Sequence, residues 1–142
     1  MKKLLALSLS AMALTACQNS EQVLSTEPEQ AAVTTDMGRT FELRPGQTAR
    51  VGNGGLLVGF RGVSQDSRCP VDVNCVWSGD AALQVPVTVG RMAWTNLELH
   101  TDIQPRSARF REFTITVVGL QPAPRSTEQI RSDRYVVTLR VE

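Results

Sequence analysis

Apolar residues recur at every second position through most of the chain after residue 38. The clearest run contains Leu83, Val85, Val87 and Val89. Alternation with a period of two places successive side chains on opposite faces of a strand. Because one face of each strand is then apolar, the strands must pair and cover that face against a second layer.

Shorter runs with the same alternation are separated by turn signals at a spacing of roughly ten residues, which is typical of β-sandwiches and barrels. Their apolar members are Phe41, Leu43, Ala49, Val51, Leu56, Val58, Phe60, Met92, Trp94, Leu97, Leu99, Phe113, Ile115, Val117, Tyr135, Val137, Leu139 and Val141. These runs predict seven or eight short strands in an antiparallel β-sandwich of immunoglobulin-like architecture, with a small β-barrel as the alternative.

Two positions interrupt the regular pattern. Pro86 lacks a backbone N–H, so it places its strand at a sheet edge or at a bulge. Met92 and Trp94 are out of phase with Leu97 and Leu99. This slip predicts a bulge near residues 95–96.

The chain begins with a short apolar run that follows two lysines and ends at Leu14. The run has the length of a signal-peptide core and is too short to cross a bilayer as a helix. The residues Leu14, Thr15, Ala16 and Cys17 resemble the lipobox of bacterial lipoproteins. This resemblance implies removal of a signal peptide at residues 1–16, acylation of Cys17 and attachment to a membrane of the cell envelope.

The residues after Cys17 bear on localisation and domain organisation. In Gram-negative lipoproteins Asp at the next position favours inner-membrane retention, so Gln18 indicates the outer membrane, facing the periplasm, for a Gram-negative source. Residues 18–38 are polar and lack a sustained apolar period, which predicts a flexible tether. We therefore expect a lipidated cysteine and tether at 17–38 and one folded domain at 39–142.

The implied processing changes the charge and the cysteine count. Lys2 and Lys3 are the only lysines, so their removal leaves thirteen arginines against fourteen acidic residues, a net side-chain charge of −1. A nearly neutral domain does not indicate nucleic-acid binding. With Cys17 acylated, Cys69 and Cys75 remain as one pair, which should form a disulfide in an oxidising envelope.

The stretch 64–81 contains the densest group of chemically versatile side chains. Its candidate binding-loop residues are Asp66, Arg68, Asp72, Asn74, Trp77 and Asp80. We expect the disulfide to staple this loop between two strands, Asp66 to pair with Arg68, and Trp77 to pack at the loop base. The segments DSRCP and CVWSGDA resemble those of a group of small uncharacterised bacterial envelope proteins, which implies no activity and no site residue.

The same loop permits several sharper hypotheses. The oxygen atoms of Asp66, Asp72, Asn74 and Asp80 are the type that binds calcium, although their spacing is not that of an EF-hand. Arg68 on a rigid loop suits the pocket of a trypsin-like protease, which suggests an envelope protease inhibitor. Soft-metal or redox chemistry at the cysteines lacks further ligands and a C-x-x-C spacing. We expect no metal and no cofactor.

Two other features carry weaker signals. His100 is the sole histidine and hence the sole imidazole base for a hydrolase, but no nucleophile motif accompanies it. Arg106, Arg109 and Arg111 form a candidate basic patch for an anionic envelope component or an acidic partner. The sequence therefore favours a lipid-anchored envelope protein with a non-catalytic binding or structural role over an inhibitor or a hydrolase.

Overall fold

The computed structural model describes residues 33–142 and contains ten strands and one short 3-10 helix. The strands are β1 (Val33–Thr35), β2 (Thr40–Leu43), β3 (Thr48–Val51), β4 (Leu56–Gly59), β5 (Gly62–Asp66), β6 (Ala81–Val89), β7 (Thr95–His100), β8 (Ser107–Phe110), β9 (Phe113–Gln121) and β10 (Val136–Val141). The 3-10 helix spans Ser132–Arg134. Within the described residues, no helix is long and apolar enough to cross a membrane.

The strands form two separate sheets, which confirms the predicted all-β sandwich and excludes the closed barrel. In the six-stranded sheet β1 pairs with β3, β3 with β4, and β6 with β4, β5 and β7. The four-stranded sheet has the order β2, β10, β9, β8. All pairs are antiparallel except β1 with β3, which is parallel.

The core lies between the sheets and follows the alternation in the sequence. In β6, Leu83, Val85 and Val87 are fully buried, and Val137 and Leu139 of β10 are fully buried in the same cluster. Burial of such side chains contributes about 1.5–3 kcal/mol each, so the apolar stripes stabilise the sandwich.

Three strands were not expected from the sequence. β1 lies within the segment predicted as a tether, where two threonines follow Val33 and no apolar alternation marks a strand. β5 is mostly polar, and β8 carries two polar and two apolar residues with no buried position. Each of these strands lies at a sheet edge or against a single neighbour, where little apolar surface is needed.

The predicted strand at Met92 and Trp94 is wrong. Both side chains lie in the connection between β6 and β7 and are about half exposed. The bulge predicted near residues 95–96 is also wrong, because β7 pairs regularly with β6 from Thr95 to His100. Met92 and Trp94 are two positions apart, which matches the spacing of a strand, although both residues lie in a turn.

Irregular pairing occurs instead elsewhere, including a register shift between Val63 and Gln65 of β5. Pro86 is not at a sheet edge, because β6 has neighbours on both sides; it lies between the residues paired with β4 and those paired with β5. In β9 the register shifts so that Val117 and Gly119 face consecutive residues of β10. Val118 is the extra residue and its side chain is exposed.

The strand directions give the sandwich two distinct ends. The loop end contains the stapled loop, residues 67–80, with the adjoining segments 101–106 and 122–126. The turn end contains the turns at 52–55, 90–94 and 111–112.

Candidate functional site

The stapled loop continues the β5–β6 hairpin beyond the sheet. The backbone N–H of Ser67 donates to the carbonyl of Asp80 at 2.7 Å, and that of Cys69 donates to the carbonyl of Ser78 at 2.7 Å. Gly79 makes this close approach possible, because a Cβ there would lie 1.9 Å from the carbonyl oxygen of Ser67. Its φ of 73° also favours glycine.

The disulfide between Cys69 and Cys75 is present, as predicted, with 5.9 Å between the two Cα atoms. It closes the outer part of the loop, beyond the last hydrogen bond between the arms. A short covalent ring of this kind limits the conformations open to the enclosed residues. The loop tip, residues 70–77, consists of the residues enclosed by this ring, Cys75, and Val76 and Trp77, which follow the ring before Ser78.

Arg68 ties the loop to the four-stranded sheet. Its Nε and Nη2 donate to the two carboxylate oxygens of Asp66 at 2.9 and 2.7 Å. Its Nη1 donates to the carbonyl of Leu120 at 2.8 Å, and Nη2 also donates to the carbonyl of Pro122 at 3.0 Å. The predicted Asp66–Arg68 pair is thus present, and it is bidentate, the geometry in which arginine binds a carboxylate best.

This geometry removes the basis for Arg68 as the residue offered to a trypsin-like protease. The side chain is only 11% exposed and its guanidinium is bound by four acceptor contacts. A protease pocket requires a side chain that extends into solvent, whereas this one points back to the fold. Arg68 was predicted to lie on the loop surface. The sequence does not show that the carbonyls of Leu120 and Pro122 accept hydrogen bonds from its guanidinium.

Tyr135 completes the cluster around Asp66. Its hydroxyl donates to Asp66 Oδ2 at 3.0 Å. Burial raises the pKa of Asp66, but hydrogen bonds and charge from Arg68, together with this hydroxyl, outweigh burial and hold that pKa below its ordinary value. Burial and the neighbouring Asp66 carboxylate raise the pKa of Tyr135 to about 12.

Asp80 holds the other side of the loop base. One carboxylate oxygen accepts from the backbone N–H groups of Thr101 and Asp102 at 3.1 and 3.0 Å, and the other lies 2.6 Å from His100 Nδ1. Burial raises the pKa of Asp80, but these contacts outweigh burial and lower it. Asp80 thereby fixes the 101–103 segment beneath the loop.

His100 is oriented by carboxylates on both sides. Besides the contact with Asp80, its Nε2 lies 3.7 Å from the Glu98 carboxylate. Nucleophilic catalysis would require a serine or cysteine within hydrogen-bond reach of the imidazole. Within residues 33–142 the polar side-chain partners of this ring are the carboxylates of Asp80 and Glu98.

The outer loop is attached to the segment after β9. The backbone N–H of Val71 donates to the carbonyl of Pro124 at 3.0 Å. The Asp72 carboxylate accepts from the N–H of Ser126 at 2.9 Å and from its hydroxyl at 2.6 Å. Hydrogen bonds from Ser126 lower the pKa of Asp72. The loop is therefore held at its base and along one outer arm.

The structure does not assemble the candidate cation site. Asp66 binds Arg68, Asp72 binds Ser126 and Asp80 binds His100, so the three carboxylates face three different partners. Asn74 is exposed on the loop tip. In the described part of the chain, no group of three or more histidine, cysteine, aspartate or glutamate side chains is arranged to hold a metal ion.

Trp77 does not pack at the loop base, contrary to the prediction. The base is already filled by the Arg68–Asp66–Tyr135 cluster and by the backbone contacts around Gly79. Trp77 is 80% exposed and its neighbour Val76 is 89% exposed. Val76 and Trp77 therefore form a pair of exposed, adjacent apolar side chains on the loop.

Sequence reasoning missed the partners that the fold brings from distant positions. Tyr135 was assigned to a strand stripe, and Ser126 received no role. Thr101 caps Asp80 and was also missed. The place of Tyr135 in an alternating apolar run does not indicate that its hydroxyl donates to the carboxylate of Asp66, 69 positions away. Such contacts depend on the strand order, which the sequence alone does not specify.

The three arginines of the candidate basic patch lie along one edge strand. Arg106 precedes β8, Arg109 lies within it, and Arg111 lies in the β8–β9 turn with a φ of 56°. Arg109 Nε donates to the carbonyl of Arg111 at 3.0 Å. All three residues are exposed. Arg109 and Arg111 belong to the β8–β9 hairpin, away from the stapled loop.

The fold and this site define the class of molecule as a β-sandwich with a disulfide-stapled loop. Searches of protein-family models, of curated proteins and of solved structures found no match.

Proposed function

We propose that the protein is a lipid-anchored component of the bacterial cell envelope with a non-catalytic binding or structural role, and that the stapled loop is its contact surface. The observation that carries this proposal is the contrast between the loop's base and its tip. The base is held by Arg68, Asp80 and the disulfide, whereas the tip presents Val76 and Trp77 to solvent.

A restrained apolar tip favours binding for a physical reason. A loop that is already ordered loses little conformational entropy when it meets a partner. Tryptophan contributes a large contact area with few rotatable bonds and an N–H that can donate a hydrogen bond. The polar residues near the loop base already have partners within the fold, so they support the loop and leave recognition to the tip.

The anchor is carried by the resemblance of Leu14–Cys17 to a lipobox, which lies outside the described residues, as do the predicted signal peptide and the tether up to residue 32. Cys17→Ser tests it directly. The full-length variant should leave the membrane fraction, while wild type stays with membranes after a high-salt wash. A Cys17→Ser chain that remains fully in the membrane fraction would contradict the anchor.

The contact surface needs a separate experiment in intact envelopes. A photo-crosslinking amino acid in place of Val76 should give crosslinked products to lipid or protein on illumination. The matched control places the same amino acid at Met92, an exposed apolar residue at the turn end. Products at both positions with equal yield, or at neither position, would show that the loop tip is not a preferred contact surface.

A further inference from the structure

We infer that the tip of the stapled loop inserts, through Val76 and Trp77, into the interfacial region of the bilayer to which the chain is anchored. This inference rests on the proposed lipid anchor and names the partner of the proposed contact surface as lipid. It assigns the loop end of the sandwich to the membrane side.

The tip of the stapled loop combines little charge with exposed apolar side chains. Residues 69–79 contain no lysine or arginine, and Asp72 is their only acidic residue. Asp72 is held against Ser126 on the attached arm of the loop. Val76 and Trp77 are the most exposed of the large apolar residues of the described chain. Tryptophan is enriched at membrane interfaces, where its ring meets acyl chains and its N–H meets water or headgroups.

The direction of β1 also bears on where the lipid anchor lies relative to the loop end. β1 runs parallel to β3 from Val33 to Thr35, towards the turn at 52–55. Val33, the first residue of β1, is therefore the residue of that strand nearest the loop end. The register places Val33 level with Val58, and Cys69 lies eleven residues beyond Val58 along the same direction.

The reach of the intervening chain fits this orientation. Eleven residues of strand cover about 36 Å at 3.3 Å per residue, which is an upper bound because the β4–β5 connection is irregular. From Cys17 to Val33 the chain has sixteen residue steps, which span up to about 55 Å when extended. An anchor at Cys17 can therefore lie in the same membrane plane as the loop tip.

The lipid anchor also raises the effective concentration of the loop at the bilayer surface. A covalent anchor keeps the loop near the bilayer, so insertion becomes an intramolecular event at an effective concentration in the millimolar range. Two apolar side chains need to supply only a weak preference under these conditions. At the turn end Trp94 and Met92 are only about half exposed, so they present less apolar surface to a bilayer than Val76 and Trp77 do.

The test uses the acylated full-length chain and its two tryptophans. Trp94→Phe leaves Trp77 as the only tryptophan, and Trp77→Phe leaves Trp94 as the matched control. Both variants are reconstituted into vesicles of phosphatidylcholine, alone or mixed with phosphatidylglycerol. Flotation of the vesicles measures anchoring, and quenching by iodide and by spin-labelled lipid measures the position of each tryptophan.

We expect Trp77 in the floated protein to lose iodide quenching several-fold relative to the same variant carrying Cys17→Ser, and to be quenched by lipid labelled near the headgroup. The effect should be the same in both lipid mixtures, because the tip has no basic residue. Trp94 should remain accessible to iodide. Val76→Ser, which leaves the tryptophan in place, should reduce the protection of Trp77.

The alternative results separate the two proposals. Protein that floats while Trp77 stays accessible overturns the insertion and leaves the anchor intact. Protein that does not float overturns the anchor, and the inference falls with it. Protection of Trp77 in native envelopes but not in lipid vesicles assigns the tip to a protein partner and also overturns the inference.

Discussion

The loop end and the turn end of the sandwich each expose a tryptophan, but different interactions shape them. At the loop end, side chains from distant parts of the sequence meet: Arg68 reaches the carbonyl of Leu120, and Tyr135 reaches Asp66. At the turn end, contacts within single turns are present, such as that from the backbone N–H of Met92 to the carbonyl of Val89. One end depends on long-range side-chain chemistry and the other on local backbone conformation.

This difference has a consequence for function. The turn end follows from glycines that adopt positive φ, including Gly52, Gly55 and Gly90, and such turns serve mainly to connect strands. The loop end adds a disulfide and a buried ion pair to a hairpin that a short turn could have closed. This additional structure supports the proposal that the loop is a contact surface.

The largest contrast is expected from the same substitution at a glycine of each end. In Gly79→Ala the new Cβ would meet backbone atoms of Ser67 and Arg68, which cannot move aside without opening the loop base. We expect the free energy of unfolding to fall by about 4 kcal/mol, from the clash and the positive φ together. Gly90→Ala has a similar φ but open space around its Cβ, so it should lose only about 1 kcal/mol. Equal losses in urea unfolding would contradict the distinction.

The next effect concerns the ion pair of the loop base. Arg68→Ala leaves the Asp66 carboxylate and two carbonyls without their partner. Both side chains of the pair are mostly buried, so we expect a loss of about 3 kcal/mol in the free energy of unfolding. Arg109→Ala, an exposed arginine of the β8–β9 hairpin, should change it by less than about 0.5 kcal/mol. A small effect of Arg68→Ala would show that water replaces the guanidinium without cost.

The sequence predicted the fold where one physical signal dominated. The apolar alternation of Leu83 to Val89 and of Val137 to Val141 fixes which faces are buried, and both runs are core strands. β1, β5 and β8 were missed because they pair through their backbones and bury little apolar surface. The strand predicted at Met92 and Trp94 is wrong because these two residues are apolar and spaced as in a strand but lie in a turn.

The candidate site was predictable only where its contacts are local. Asp66 with Arg68 and Cys69 with Cys75 are close in sequence, and both pairs are present. The exposure of Trp77 was not predictable, because it depends on which side chains already occupy the loop base. That base is completed by Tyr135 and by the carbonyls of Leu120 and Pro122 at the end of β9, which the pairing of β9 with β10 brings close to Tyr135.

A smaller effect is expected from removing the disulfide. The ring between Cys69 and Cys75 is short, so the chain-entropy model gives a stabilisation of about 2 kcal/mol. Cys69→Ser with Cys75→Ser should lower the free energy of unfolding by that amount. Amide hydrogen exchange should accelerate in residues 69–76 and stay unchanged in the turn at 52–55. Acceleration at both ends would show that the staple supports the whole sandwich and not the loop alone.

The smallest effect on stability tests the polar cluster through the single tyrosine of the chain. Tyr135→Phe removes one hydrogen bond to Asp66 and should cost about 1 kcal/mol near neutral pH. Because Tyr135 is the only tyrosine, the absorbance of tyrosinate reports its ionisation alone. Its midpoint should lie at about pH 12 in the native protein and near 10 in denaturant.

The raised pKa of Tyr135 also fixes the sign of the pH dependence. The folded state favours the protonated hydroxyl, so this contribution to stability is complete below about pH 10 and is lost as the pH rises towards 12. Tyr135→Phe should lack this alkaline loss. Asp66→Asn removes the neighbouring negative charge and should lower the native midpoint. A native midpoint near 10 would mean that the hydroxyl is not held by Asp66, and the link from the loop end to distant strands would then rest on Arg68 and the carbonyls of Leu120 and Pro122.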